Sequence, residues 1–151
     1  MDPVTIISGA TVAFNALKKG FAIGKDLQDM SSQLTQWAGA MSDLSYAEQK
    51  ANNPPWWKSL GGSVEAEALE VWNAKRKADA MREELRSHIS FVYGPSAWDS
   101  LVATEARIRK EKKEHEYRKA ELQEAIITWV VSGTLLVVGF GVLGFILYLT
   151  A

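Results

Sequence analysis

Apolar positions in the first fifty residues recur at alternating spacings of three and four. Ile7, Ala10, Phe14, Leu17 and Phe21 make one such row, and Ile23, Leu27, Met30, Leu34, Trp37, Met41 and Leu44 make a second. This is the period of an amphipathic helix, with a heptad-like character that suits a coiled coil. The register jumps between Phe21 and Ile23, beside Gly20 and Gly24, which predicts either a kink or a break between two helices there. The segment, residues 3–51, ends at Asn52-Asn53-Pro54-Pro55, because proline lacks an N–H and pushes its predecessor out of the α region. Its opening stretch, Val4 to Leu17, is uncharged but would measure only ~21 Å as a helix, too short to cross a bilayer unaided. Helix packing, within the chain or on other protomers, suits it better than entry into a membrane.

Residues 52–62 form a Pro/Trp/Gly loop. Trp56-Trp57 beside Lys58 suits either a membrane interface or core packing beneath the loop. Ser63 is placed to cap a central helix, residues 63–94, with Glu65 and Glu67 favourable in the first turn and Gly94-Pro95 at the end. The inner face of that helix would be Val64, Ala68, Val71, Ala78, Leu85, Ile89 and Val92, packed antiparallel to the first segment. Ser96-Ala97-Trp98-Asp99 resembles a capping box, and no Gly or Pro then follows before Gly133. One continuous helix, ~80 Å long, is therefore expected from Ala97 to near the C-terminus, with residues 96–124 as a charged stalk.

From Ala125 to Ala151 the only ionisable side chain is Tyr148, and an uncharged run above ~20 residues matches a helix that crosses the hydrocarbon core. Trp129 and Tyr148 stand 19 positions apart, ~28 Å along a helix, so that each ring can sit near one interface. The predicted span carries Ile126, Trp129, Gly133, Gly139, Gly141, Gly144 and Tyr148. Its glycines allow close helix approach without forming a strict Gly-x-x-x-Gly pair, and self-association through them stands beside the ordinary frequency of glycine in membrane helices. A buried central helix of a soluble bundle is the competing reading, and such a helix rarely lacks every charge for this long.

Arg107, Arg109, Lys110, Lys112, Lys113, Arg118 and Lys119 precede the span and no basic residue follows it, which puts the N-terminal domain on the cytoplasmic side of a single-pass, tail-anchored protein inserted after translation. At the N-terminus, Asp2 stands where a secretory signal would be basic.

Charge narrows the function classes further. With 17 Lys plus Arg against 18 Asp plus Glu in 151 residues, the chain exerts no general pull on nucleic acid, and no specific nucleic-acid binding is expected. Thirteen charged residues of both signs lie between Glu105 and Glu124. They suit a solvated helix stabilised by pairs such as Glu114 with Arg118 better than a basic patch touching anionic lipid or DNA. The absence of cysteine excludes disulfides, thiolate zinc sites and a cysteine nucleophile. Glu111 and His115 are one turn apart, too few for a metal site, while His88 lies on another helix. Gly61-Gly62 lacks the Lys-Ser/Thr of a phosphate loop. No enzyme activity and no cofactor are expected. A hairpin with so small a core is marginal alone, so the stripe from Ile23 to Leu44 is expected to self-associate into a homo-oligomer.

Four stretches carry a resemblance. They are Met1-Asp2-Pro3-Val4-Thr5-Ile6, the helix opening at Glu65-Ala66-Glu67-Ala68-Leu69-Glu70, Tyr93-Gly94-Pro95-Ser96-Ala97-Trp98, and the terminal apolar run. Together they resemble small single-span helical proteins encoded by marine tailed bacteriophages, including cyanophages. The resemblance implies an internal virion protein, held among other virion proteins in the particle core and ejected to act at the host membrane. A holin-like lysis protein is the main competitor, and a single span under a large helical domain argues modestly against it. A third class is a tail-anchored adaptor recruiting a cytosolic partner through Trp37, Met41 and Leu44.

Overall fold

A computed structural model describes residues 2–150, all in helices and short connections, with no strand among the described residues. Met1 of the opening motif and Ala151 of the predicted span lie outside the described residues. The chain divides into two compact units, residues 1–114 and 115–151.

The first unit holds four helices: α1 (Pro3–Ala22), α2 (Ser31–Asn52), α3 (Val64–Tyr93) and α4 (Pro95–Lys112). Asp2 caps α1, its carboxylate accepting from the Val4 amide at 3.4 Å and the Thr5 hydroxyl at 3.1 Å, with Pro3 in the first helical position. At the other end of α1 the register jump proves to be a full break. Gly24 adopts φ 75°, its amide donates to the Phe21 carbonyl at 3.1 Å, and the Lys25 amide donates to Gly20 at 3.0 Å. This is a Schellman termination, which needs a residue free to take positive φ. The single N-terminal segment of the sequence reading is therefore a helical hairpin, and α2 packs against α1, α3 and α4.

Trp37 is 1% exposed at the centre of the core and meets the Phe14 ring at 6.1 Å between centroids. Around it lie Leu17, Met30, Met41, Leu44, Leu85 and Ile89, with Ala10, Ala13, Ala74 and Ala78 setting short distances between helices. Gly20 is the tightest of these contacts: a Cβ built there would overlap Met30 Sδ. The inward face of α3 is Val71, Ala74, Ala78, Met81, Leu85 and Ile89. Val71, Ala78, Leu85 and Ile89 match expectation, whereas Val92 is 51% exposed because it lies in the last turn, beyond the packed row.

Two helix starts differ from the sequence reading. Ser63 makes no side-chain cap bond and already has αR geometry. Pro95 occupies the first position of α4 after Gly94, so Ser96 is inside the helix and its carbonyl accepts from the Ser100 hydroxyl at 2.9 Å. Gly94, at φ 92° and ψ 162°, makes the reversal between α3 and α4 in a region open essentially to glycine alone.

Helical bonding continues from Pro95 to Thr150, as expected of the long helix, but with a π-helical stretch at Lys113–Tyr117 before α5 (Arg118–Thr150). In α4 the less exposed row runs Leu101, Glu105, Ile108 and Lys112.

Gly20 and Gly9 both lie inside α1, but nothing approaches within 4 Å of a Cβ at Gly9. Gly20→Ala is expected to destabilise the chain by about 1–3 kcal/mol through overpacking, and Gly9→Ala to stabilise it by about 0.5–1 kcal/mol. Denaturant midpoints of the detergent-solubilised chain, followed by tryptophan fluorescence, check the pair. A midpoint for Gly20→Ala at or above the parent's contradicts the close contact.

Candidate functional site

The second unit is dominated by α5, and no residue of α5 is buried. An 18-residue window of the Pro95–Thr150 helix reaches a mean hydropathy of 2.4 with none of it buried, so the helix is long and apolar enough to cross a membrane by length and composition. The predicted span residues Ile126, Trp129, Gly133, Gly139, Gly141, Gly144 and Tyr148 all lie on α5 and are all exposed. Trp129 and Tyr148 are 80% and 81% exposed. Apolar side chains occupy every side of the helix, as Leu135, Leu136, Val137 and Val138 demonstrate within one turn. Nothing lies within 4 Å of a Cβ built at any of the four glycines. At 3.6 residues per turn Gly133, Gly141 and Gly144 fall within an arc of about 80°, with Gly139 outside it.

The threonine hydroxyls of α5 are satisfied within the helix. Thr128, Thr134 and Thr150 hydroxyls donate to the carbonyls of Glu124, Val130 and Ile146, each four residues back, at 2.8, 2.8 and 3.0 Å. Backbone groups are paired within the helix, so these three threonines present carbon rather than unpaired hydroxyls to their surroundings.

In the first unit the charged band expected to face solvent is partly tied into the bundle. Glu105 is 3% exposed. Arg82 on α3 holds it with both guanidinium branches, Nη1 to Oε1 at 3.0 Å and Nη2 to Oε2 at 2.7 Å, and Arg109 Nη2 adds a bond to Oε1 at 2.9 Å. The Arg82 guanidinium also lies 5.9 Å from the centroid of the Trp98 ring. Lys112 Nζ donates to both carboxylate oxygens of Asp43 at 2.8 and 2.9 Å, pinning α4 to α2. Paired in this way the buried carboxylate is tolerated, since a buried charge needs compensating donors. Arg107, Lys110, Lys113, Arg118 and Lys119 remain exposed. Sequence reasoning missed this clamp, although its signal is present: Arg82 and Glu105 stand twelve and eleven residues either side of Gly94, where an antiparallel hairpin brings them level.

The stripe proposed for self-association is largely internal. Met30, Trp37, Met41 and Leu44 are buried and Leu27 and Leu34 pack against the core, because the break at Gly24 folds α2 back onto α1. Ile23 alone of the stripe is strongly exposed, at 72%. An adaptor surface built on Trp37, Met41 and Leu44 has the same difficulty. His88 packs on Phe21 at 4.4 Å between ring centroids, His115 is exposed, and no group of three or more potential metal ligands occurs among the described residues. A groove of about 790 Å³ lies between α1, α2 and α4, and its charged lining includes the Asp43–Lys112 pair.

Comparison with protein-family models, curated proteins and solved structures finds no match.

Arg82 and Arg109 bind the same carboxylate unequally, and their replacement should separate them. Arg82→Ala, which removes a two-pronged bond to a buried charge, is expected to cost about 1.5–3 kcal/mol. Arg109→Ala removes a half-exposed neighbour on the same helix and is expected to cost under about 1 kcal/mol. Equal losses in the denaturant midpoint would show that the two arginines share the charge evenly.

Proposed function

We propose that this chain is a non-enzymatic, membrane-anchored helical protein that holds a four-helix domain at a bilayer through α5. The observation that carries this reading is the apolar surface of α5, none of it buried. Water disfavours such a surface by about 25 cal/mol per Å², and helical spans are a stable form for apolar chain in lipid. The uncharged interval between Trp129 and Tyr148 supports a single pass, and the exposed bases Arg107, Lys110, Lys113, Arg118 and Lys119 before it support a cytoplasmic first unit. The arc of Gly133, Gly141 and Gly144 supports association of spans into a homo-oligomer. The likeness of the four sequence stretches to marine phage proteins supports a virion component delivered to the host membrane, which exchanges protein contacts in the particle for lipid after ejection.

The test is carbonate extraction of the expressed chain beside a truncation ending at Glu124, with crosslinking of both. The full chain is expected to stay with the membrane, the truncation to be soluble, and crosslinks to define one stoichiometry. A full chain that carbonate releases as a large soluble oligomer would make α5 an interior helix and end the anchor reading. Recovery in purified phage particles tests the virion assignment separately.

A further inference from the structure

We infer that the first unit makes a second contact with the membrane, in which Trp56 and Leu60 of the 53–63 connection and Leu69 and Trp72 of α3 lie in the lipid interface. The inference rests on the anchor reading above. Trp56 is 48%, Leu60 79%, Leu69 58% and Trp72 52% exposed. Trp57 is only partly exposed, so the tryptophan pair divides between the two readings its sequence allowed. The connection is held against α3: Lys58 in the short 3-10 turn Lys58–Leu60 bonds the carboxylate of Glu67, on the same row of α3 as Val71 and Ala74, at 3.2 Å, and the Pro55 carbonyl accepts from the Lys58 amide at 3.0 Å. Leu69 and Trp72 are one turn apart on the outer face of α3, opposite the buried Val71 and Ala74.

Topology within the first unit supplies the partner. Reversal at Gly24, at the 53–63 connection and at Gly94 makes successive helices antiparallel, as the Lys75–Glu48 pair at 2.9 Å and the Arg82–Glu105 pair record. α4 therefore runs toward the end of the bundle that holds the α2–α3 connection, with Lys112 level with Asp43, nine residues before the end of α2. α4 thus points toward the end that carries the exposed tryptophans. Ala125 is eleven positions beyond Glu114, ~16 Å if helical and at most about 40 Å fully extended. A tether of this length keeps the first unit within tens of ångströms of the interface and lowers the entropy cost of a second contact.

The chemistry fits the interface rather than the hydrocarbon centre. Indole rings favour the headgroup level, where a flat apolar body meets water. The Arg76 guanidinium lies 4.9 Å from the Trp72 ring centroid, where it can reach toward phosphate groups with its stem along apolar surface, while Lys58 stays paired with Glu67. Glu65 and Glu70 are exposed nearby and offset these cations, so the contact requires no anionic lipid. The other apolar cluster, Ile23, Phe91 and Val92, is at the opposite end of the bundle and serves as the internal control.

Because the chain has no cysteine, single labels are easily placed on the full-length protein. Leu60→Cys, Phe91→Cys and Leu136→Cys, each at an exposed position, are spin-labelled and reconstituted in phosphatidylcholine vesicles, with circular dichroism to verify the fold. The readout is the ratio of collision with oxygen, which concentrates in lipid, to collision with a water-soluble nickel chelate. The inference predicts a ratio highest at position 136, several-fold higher at position 60 than at position 91, and aqueous at position 91. A lipid-like ratio at 136 with equal aqueous ratios at 60 and 91 overturns this inference and leaves the anchor standing. An aqueous ratio at 136 overturns the anchor reading, and the interface contact with it. Trp56→Ser/Trp72→Ser combined with the Leu60→Cys label should return position 60 to an aqueous ratio; no change there also counts against the contact.

Discussion

The constraint on which the rest depends is that α5 contributes nothing to the core. A helix apolar on every side, with none of its residues buried, leaves the first 114 residues to close a hydrophobic interior alone. Four helices of 18 to 30 residues manage this by approaching closely. Alanines at 10, 13, 74 and 78 and the glycine at 20 bring the backbones together around Trp37, Leu17 and Met30. Close packing of small residues lets a modest domain bury large side chains completely, at the cost of little tolerance for added volume.

Much of this was legible in the sequence because it rests on periodicity. The rows through Phe14 and Leu17, through Trp37 and Met41, and through Leu85 and Ile89 are the buried rows of α1, α2 and α3. The boundaries at Pro54-Pro55 and Gly94-Pro95 followed from backbone chemistry. The break at Gly24 was harder, since a glycine beside a register jump is compatible with a bent helix as well as two helices. It was settled by the pair of bonds from Gly24 and Lys25 back to Phe21 and Gly20, which no single-residue preference announces. That break determined where the second stripe went: a row that would seek other chains on an unbroken helix finds α1, α3 and α4 within its own.

Charge was the least legible feature. A band of mixed acids and bases looks the same in sequence whether solvated or clamped. Glu105 is buried because Arg82 arrives from across the Gly94 hairpin, and Lys112 holds Asp43 from 69 positions away. Lys75 and Glu48 follow the same rule, thirteen residues either side of Gly61-Gly62. The Arg82–Glu105 and Lys112–Asp43 pairs give α4 a fixed register on the bundle, and Lys75–Glu48 does the same for α3 on α2. The candidate site was visible for the opposite reason: an absence of charge over more than one bilayer thickness is a compositional signal, independent of tertiary contacts.

The central claim is that α5 crosses a bilayer, and the most direct measurement is which side of a sealed vesicle each of its ends reaches. Single substitutions Glu124→Cys, Val138→Cys and Thr150→Cys in the otherwise cysteine-free chain are exposed to a membrane-impermeant maleimide before and after permeabilisation. In vesicles sorted for one orientation, the account predicts immediate reaction at 124, none at 138 in either condition, and reaction at 150 only once the vesicle is opened. Reaction at 124 and 150 from the same side, or ready modification at 138 in intact vesicles, would contradict it.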